Sequence, residues 1–307
     1  MGIIYDGEFS MAGLAFLAGS FTSLSRTWRV VSVFWAIFTM APFMALMAHY
    51  GKIPLTAGAL LYVVPFIFGG MATFLINDIG DVEYDPAEKN VITRGDITRT
   101  TAIIAFVFLL IVGTALLFLI YRSPMAYVAY FAFAALGFTY NSPVLRLKDS
   151  LLGPLVAAGF LWLSTSTIFL AEFGYFGWDA LLLLAGLFLV FIAYEVRHTI
   201  CDVDVDVKFG SRTFAVIMGE KRARIVEYAL LVMGCGVLVF DMFYILGFGY
   251  VLFMAILVLL FVLAIAPELV WDIEAGFSSG YRAAMPFFVI KVYIGLMAFI
   301  ILMIPVV

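Results

Sequence analysis

The sequence predicts an all-α fold: a polytopic membrane helical bundle of about nine transmembrane helices. Of its 307 residues, 65% are hydrophobic and only 12% are charged. Soluble domains average roughly 45–50% apolar and about 25% charged residues. Apolar runs also recur along the whole chain, and a helix needs roughly 20 such residues to cross the hydrocarbon core. The one-sided placement of lysine and arginine is the third observation that supports this fold class.

Nine segments are long and apolar enough to span a bilayer. With approximate ends, they are 30–49, 53–76, 100–121, 124–140, 151–172, 176–195, 225–246, 250–268 and 284–306. Over this layout, all but three of the 17 lysines and arginines fall on one side, the exceptions being Lys52, Arg122 and Lys291. Because cytoplasmic loops are enriched in basic residues, the N-terminus and the long connections 77–99 and 196–224 are predicted to be cytoplasmic.

The two long connections carry related acidic patterns. The first motif, NDIGDVEYD, covers residues 77–85, and the second, HTICDVDVD, covers residues 198–206. The copies are offset by 121 residues and separated by four predicted spans, which puts them on the same side of the membrane. We therefore expect a single transmembrane domain, residues 1–307, made of two pseudo-repeated halves with an aspartate-rich cytoplasmic loop in each.

Oxygen-bearing side chains recur every four residues within these motifs. Asn77, Asp81 and Asp85 follow this spacing in the first motif, and Asp202 and Asp206 repeat it in the second. Residues four apart share one face of a helix, so each motif is expected to form a ridge of oxygen atoms. Carboxylates repel one another in a low-dielectric site, and a divalent cation relieves that repulsion. An all-oxygen ligand set suits Mg²⁺, which is often shared with substrate phosphates, so the pattern predicts a Mg²⁺–diphosphate site.

Other uses of the same acids are possible in principle. An EF-hand loop needs glycine at its sixth position and glutamate at its twelfth, where the segment beginning at Asp202 has Val207 and Thr213, so this site is excluded. A zinc site at His198 and Cys201 is disfavoured because no second ligand pair accompanies them. A cation-coupled transporter stays open, since acids in membrane helices often mark transport paths. Transporter sites, however, lie near the bilayer midplane, whereas these acids lie at its rim.

The motifs resemble those of a known family. NDIGDVEYD matches N-D-x-x-D-x-x-x-D, the first aspartate-rich motif of the UbiA superfamily of intramembrane prenyltransferases, and DVDVD is similar to the core of its second motif. YNSPVLRLK, from Tyr140, resembles the family's Y-S-P-x-x-L-K segment, and FGSRTFAVIMGEKRA resembles its G-x-x-T-x-x-x-x-x-G stretch. There are departures: His198 and Thr199 replace a common Lys-Asp or Arg-Asp pair. The family's N-x-P-x-R-P segment keeps only Asn90 and Arg94.

The resemblance implies a Mg²⁺-dependent transferase that moves an isoprenoid chain from a polyprenyl diphosphate to an aromatic or lipid-like acceptor, as in quinone, archaeal-type lipid or carotenoid biosynthesis. It implies two Mg²⁺ ions, held by Asn77 and by the catalytic aspartates Asp81, Asp85, Asp202 and Asp206. The partners are the lipid bilayer and the two substrates, with no nucleic acid. Cationic and hydroxyl side chains are expected to bind the diphosphate. They are Arg94, Arg146, Lys148, Arg212, Tyr140 and Ser142.

Overall fold

The computed structural model describes residues 39–40, 42–44, 46–48, 50, 52, 61–85, 87, 90–141 and 145–246. Every regular element in these ranges is helical, and they contain no strand. The predicted all-α fold is therefore confirmed for this part of the chain. The predicted spans at 250–268 and 284–306, and most of the span at 30–49, lie outside the described residues.

The helices are numbered here in chain order. They are α1 (Val64–Gly80), α2 (Arg99–Ile120), α3 (Pro124–Asn141), α4 (Gly153–Ala157), α5 (Ser164–Phe173), α6 (Trp178–Cys201), α7 (Val203–Phe209), α8 (Phe214–Met218) and α9 (Glu220–Leu246). A 3-10 turn at Leu147–Asp149 precedes α4, and a π-helical turn at Ala158–Leu163 joins α4 to α5.

Four helices in the described part of the chain are long and apolar enough to cross a membrane. They are Leu61–Gly80, Arg99–Ile120, Trp178–Cys201 and Glu220–Asp241. The segments Gly153–Leu161 and Ser164–Phe173 are bent by 46° relative to each other and make a fifth if they form one broken span. The structure thus supports a polytopic helical membrane protein, and the total of nine spans stays a prediction.

The chain divides into two compact units, one of which contains Val64–Leu117. In this unit α1 packs on α2 through a buried cluster that includes Leu75, Ala102 and Leu109. Ile79 and Ile92 pack against the same cluster. Apolar packing therefore extends to the end of α1, where the first motif lies.

The second unit contains α3 to α9, and its most extensive helix pair is α6 with α9. These helices run antiparallel and approach closely at two glycines. A Cβ atom at Gly186 would lie 2.7 Å from Leu238, and one at Gly234 would lie 2.9 Å from Val190 and 3.0 Å from the Gly186 carbonyl oxygen. Small residues permit such close helix packing in membranes, where van der Waals contact contributes much of the association energy.

We expect Gly234→Ala to destabilise the protein by about 1–3 kcal/mol, because the added methyl group overpacks the α6–α9 contact. Gly236→Ala is the matched control: it lies in the same helix, and a Cβ atom there meets nothing within 4 Å. The control should be neutral or stabilising by up to about 1 kcal/mol. The free energy of unfolding is measured by SDS titration in mixed micelles, and an equal response of both variants would contradict the packing described.

Candidate functional site

The first motif begins inside α1 and continues past its end. Helix α1 ends at Gly80. Nevertheless, the Asp81 N–H donates to the Asn77 carbonyl oxygen at 2.9 Å, and the Asp85 N–H donates to the Asp81 carbonyl oxygen at 2.8 Å. These i→i−4 bonds place the three predicted ligands at successive helical turns, although the regular helix stops between the first and second of them. Asp81 is 7% exposed, and Asn77 and Asp85 are partly buried.

The second motif has the same backbone pattern at a helix break. Helix α6 ends at Cys201, α7 begins at Val203, and Asp202 between them has φ −98° and ψ 1°. The Asp202 N–H donates to the His198 carbonyl oxygen at 3.2 Å, and the Asp206 N–H donates to the Asp202 carbonyl oxygen at 2.8 Å. Both motifs therefore space their oxygen ligands by one turn around the end of a membrane helix.

The polar connection predicted at 196–224 is largely helical rather than a loop, because it contains the end of α6 together with α7 and α8. A buried apolar cluster explains the difference: Val196, Ile200, Ala215 and Ala223 pack together, and residues such as Val203 and Phe214 cover them. These apolar side chains lie between the charged residues that dominate the sequence pattern. The second motif is thus anchored on a small core of its own.

The oxygen donors of each motif fit the chemistry of Mg²⁺, which favours carboxylate and amide oxygens and keeps several waters. The first motif belongs to one compact unit and the second to the other. Among the residues that the structure describes, no group of three or more His, Cys, Asp or Glu side chains is close enough to hold a metal ion.

The connection after the first motif is fastened to it by Asn90, whose side chain is fully buried. The Asn90 Nδ2 donates to the Asp78 carbonyl oxygen at 2.8 Å, and the Asn90 Oδ1 accepts from the Ile92 N–H at 2.9 Å. The Thr93 hydroxyl donates to the Val82 carbonyl oxygen at 3.1 Å. Asn90 is one of the two residues that this chain keeps from the family's N-x-P-x-R-P segment, and its structural use is to fold the connection back onto the motif.

Thr213 is a residue whose role the sequence pattern did not reveal. Its hydroxyl donates to the Asp206 Oδ2 at 2.7 Å, and the Ser211 N–H donates to the Asp206 carbonyl oxygen at 2.8 Å. Gly210 and Gly219, with φ of 75° and 79°, take conformations that favour glycine on either side of Thr213. The G-x-x-T-x-x-x-x-x-G spacing is therefore the geometry that turns the chain back and orients a predicted metal ligand.

Two of the predicted diphosphate-binding arginines are engaged with local carboxylates. The Arg94 Nη2 lies 2.5 Å from the Asp96 Oδ2, an ion pair that raises the pKa of the Arg94 guanidinium. The Arg146 Nε donates to the Asp149 Oδ2 at 2.6 Å, from a left-handed backbone conformation with φ 36°. A diphosphate that binds to either arginine must therefore share it with a neighbouring aspartate.

The other residues predicted to bind the diphosphate are Lys148, Tyr140, Arg212 and Ser142. Lys148 lies in the 3-10 turn beside Arg146, and the Tyr140 ring lies 5.0 Å from the Phe160 ring. Arg212 is exposed. Ser142 lies outside the described residues.

His198, which replaces a basic residue of the family motif, lies beside the second motif and is 57% exposed. Its Nε2 is 3.4 Å from the Asp202 Oδ2, and its Nδ1 is 3.9 Å from the Glu195 Oε2. The imidazole is therefore a neighbour of the predicted metal ligand Asp202.

Comparison with known proteins identifies related sequences. The model of the UbiA prenyltransferase family matches residues 33–276. The 4-hydroxybenzoate octaprenyltransferase of Saccharophagus degradans is 25% identical over 165 residues, which are 52% of this chain and 54% of that protein. The match thus spans about half the length of that relative.

The fold is similar to solved structures over nearly the whole chain. A structure of digeranylgeranylglyceryl phosphate synthase is 20% identical, with a TM-score of 0.61 over 90% of this chain and 98% of that one. A UbiA homologue from Archaeoglobus fulgidus bound to DMAPP and Mg²⁺ is 16% identical, with a TM-score of 0.64 over 91% and 99%. At these identities the likeness establishes the fold, and the family match establishes the relationship: the chain belongs to the UbiA prenyltransferase family.

Proposed function

We propose that this protein is a Mg²⁺-dependent intramembrane prenyltransferase. It moves an isoprenoid chain from a polyprenyl diphosphate to an aromatic or lipid-like acceptor. The observation that carries the proposal is the repeated motif, in which oxygen ligands at one-turn intervals lie around the end of a membrane helix twice in the chain. Family membership supports it, and so do fold neighbours bound to GPP or DMAPP together with Mg²⁺.

The proposed ligands of two Mg²⁺ ions are Asn77, Asp81, Asp85, Asp202 and Asp206. Bound Mg²⁺ supplies charge neutralisation, which makes diphosphate a competent leaving group. The side chains of the chain itself hold and orient the donor. In this proposal the one-turn spacing within each motif presents adjacent oxygen atoms to the same region of the diphosphate, while Thr213 fixes the Asp206 carboxylate through its hydrogen bond.

Basic and hydroxyl side chains are proposed to hold the diphosphate oxygens. They are Arg94, Arg146, Lys148, Arg212, Tyr140 and Ser142. Guanidinium groups bind phosphate in a bidentate manner. Because Arg94 and Arg146 are each paired with an aspartate, their contribution depends on exchanging part of that pairing for the substrate. Lys148 has a more flexible side chain and a single charged nitrogen, which suits it to follow the leaving group.

The acceptor is proposed to be lipid-like or aromatic. The curated relative acts on 4-hydroxybenzoate by name, and a fold neighbour is a digeranylgeranylglyceryl phosphate synthase. The missing prolines of the N-x-P-x-R-P segment favour a lipid-like or unusual acceptor. We further propose one domain over residues 1–307 with two pseudo-repeated halves, and both motifs on the cytoplasmic side.

A direct assay tests the proposed reaction. Purified protein is incubated with a labelled allylic diphosphate and co-purified lipid, with Mg²⁺ or with EDTA, and both diphosphate and the prenylated lipid are measured. We expect release and transfer with Mg²⁺ only. Cation-dependent uptake of a solute into proteoliposomes, without diphosphate release, would instead support the transporter.

Thr213→Val provides a separate test of the second motif. Valine keeps the shape of threonine but cannot donate to Asp206, so we expect roughly tenfold weaker apparent Mg²⁺ affinity, as for other residues that orient metal ligands. Thr213→Ser keeps the hydroxyl and should restore most of the affinity. The measurement is the Mg²⁺ dependence of diphosphate release, and equal affinities for the valine and serine variants would show that the hydrogen bond is dispensable.

A further inference from the structure

The contact between helices α6 and α9 keeps one register from Gly186 to Arg197. Three contacts follow the same antiparallel alignment. From one contact to the next, the residue number rises on α6 by as much as it falls on α9. The contacts are Gly186 with Leu238, Val190 with Gly234, and Arg197 with Glu227. Two of these contacts are apolar and the third is an ion pair, so steric fit and charge independently select the same alignment.

The ion pair is the contact that can enforce this alignment. Arg197 and Glu227 are both 0% exposed, and the Arg197 Nε lies 2.5 Å from the Glu227 Oε1. A slide of one turn would leave a buried guanidinium and a buried carboxylate without each other, at a cost of several kcal/mol. The glycine contacts favour the same alignment by shape, and the ion pair adds the cost of separating two buried charges. Buried ion pairs are best attested in this role, as determinants of register rather than as sources of net stability.

A second pair fixes the start of α9. The Arg224 Nη2 lies 2.6 Å from the Glu220 Oε1, and the Arg224 side chain is 0% exposed. Arg224 lies three residues from Glu227, on the same side of α9. Both arginines are thus buried in the interior and are not exposed phosphate-binding groups.

This charged cluster lies next to the second motif. Arg197 precedes Asp202 by five residues, or about 7.5 Å along the helix axis, and α6 ends between them at Cys201. A one-turn slide of α6 on α9 would therefore shift Asp202 by about 5.4 Å, which is far more than metal coordination tolerates.

We propose that Arg197 is a positioning residue for the second aspartate motif: its ion pair with Glu227 sets the register of α6 on α9 and thereby the place of Asp202. This inference rests on the proposed function, because it assigns Asp202 a metal. Glu227→Gln keeps the shape of the side chain and removes its charge, and is therefore the principal test variant. Gly234→Ala is the control, since it disturbs the same helix pair away from the ions.

Two readouts are needed, and neither requires turnover. The first is Mn²⁺ binding to the purified full-length protein, measured by electron paramagnetic resonance. We expect Glu227→Gln to bind Mn²⁺ about tenfold more weakly, and Gly234→Ala to stay within about twofold of the parent protein.

The second readout is the register of α6 on α9, measured by disulfide cross-linking. In the antiparallel alignment Ala223 lies opposite Cys201, so Ala223→Cys in a Cys235→Ser background should form a disulfide with Cys201 on mild oxidation, and Glu227→Gln should slow its formation.

These experiments test the positioning role of Arg197 and the proposed function separately. Slower cross-linking with unchanged Mn²⁺ affinity would overturn the positioning role, and unchanged cross-linking would overturn the register claim. Equal losses of Mn²⁺ affinity in Glu227→Gln and Gly234→Ala would show that the ion pair acts only through the general packing of the two helices. Asp202→Asn is the reference for the proposed function: if it binds Mn²⁺ as the parent does, the metal site is wrong, and the positioning role falls with it while the register result stands.

Discussion

Asp202→Asn is expected to lower the rate of Mg²⁺-dependent diphosphate release about 10³-fold, and Asp81→Asn is expected to do the same. Asparagine keeps the size of aspartate but removes the negative charge that binds the ion. The loss corresponds to about 4 kcal/mol of transition-state stabilisation. Losses of 10²–10³ are typical when one group that stabilises transition-state charge is removed. The measurement is the single-turnover rate of release from a labelled allylic diphosphate at saturating Mg²⁺.

Each of these variants has a matched control in its own motif. Glu83 and Asp204 occupy equivalent positions in the two motifs, and both side chains are exposed. Glu83→Gln and Asp204→Asn remove the same charge close to the proposed ligands without touching them. We expect both controls to stay within about threefold of the parent rate, as surface changes outside a site usually have small effects. Controls as inactive as the ligand variants would attribute the effect to overall charge.

Arg197→Met is expected to destabilise the protein by about 3–5 kcal/mol, since it leaves the buried Glu227 carboxylate without its counter-charge. Glu227→Met should have a similar effect for the converse reason. The double variant should regain most of the loss, because two methionines bury apolar groups of similar volume in place of the two ions. The free energy of unfolding is measured by SDS titration in mixed micelles.

Where a single methionine variant does not accumulate, Arg197→Lys replaces it as a milder substitution. Lysine keeps the charge but loses the geometry of the guanidinium group. The coupling energy between the two positions is the decisive quantity. Independent, additive effects of the single substitutions would show that the pair contributes nothing specific to the α6–α9 contact.

The helical fold and both motifs could be predicted from the sequence because their signals are local. Apolar runs of about 20 residues predict membrane helices, and a four-residue spacing predicts one-turn separation on a helix. The backbone bonds from Asp81 to Asn77 and from Asp206 to Asp202 confirm this separation. The exact ends of the helices were not predictable, since polar residues at a helix end are compatible with either a continuing helix or a break.

The remaining features of the site depend either on a contact distant in sequence or on how the connections fold locally. Arg197 and Glu227 are 30 residues apart, and in the sequence Arg197 is simply one of many basic residues on the predicted cytoplasmic side. The interaction of Thr213 with Asp206 depends on the turn at Gly210. Charge and position near the motifs made Arg94 and Arg146 candidates for diphosphate binding, whereas their pairing with Asp96 and Asp149 follows from the folded connections.

In the proposed function both motifs act on one diphosphate, and a double-mutant cycle tests this most directly. Binding of a non-hydrolysable allylic thiolodiphosphate is measured in the presence of Mg²⁺ for the parent, Asp81→Asn, Asp202→Asn and the double variant. If both aspartates serve one metal–diphosphate site, the effects are strongly non-additive, and the double variant binds little worse than either single one. Additive losses, or parent-like binding by either single variant, would contradict a shared site.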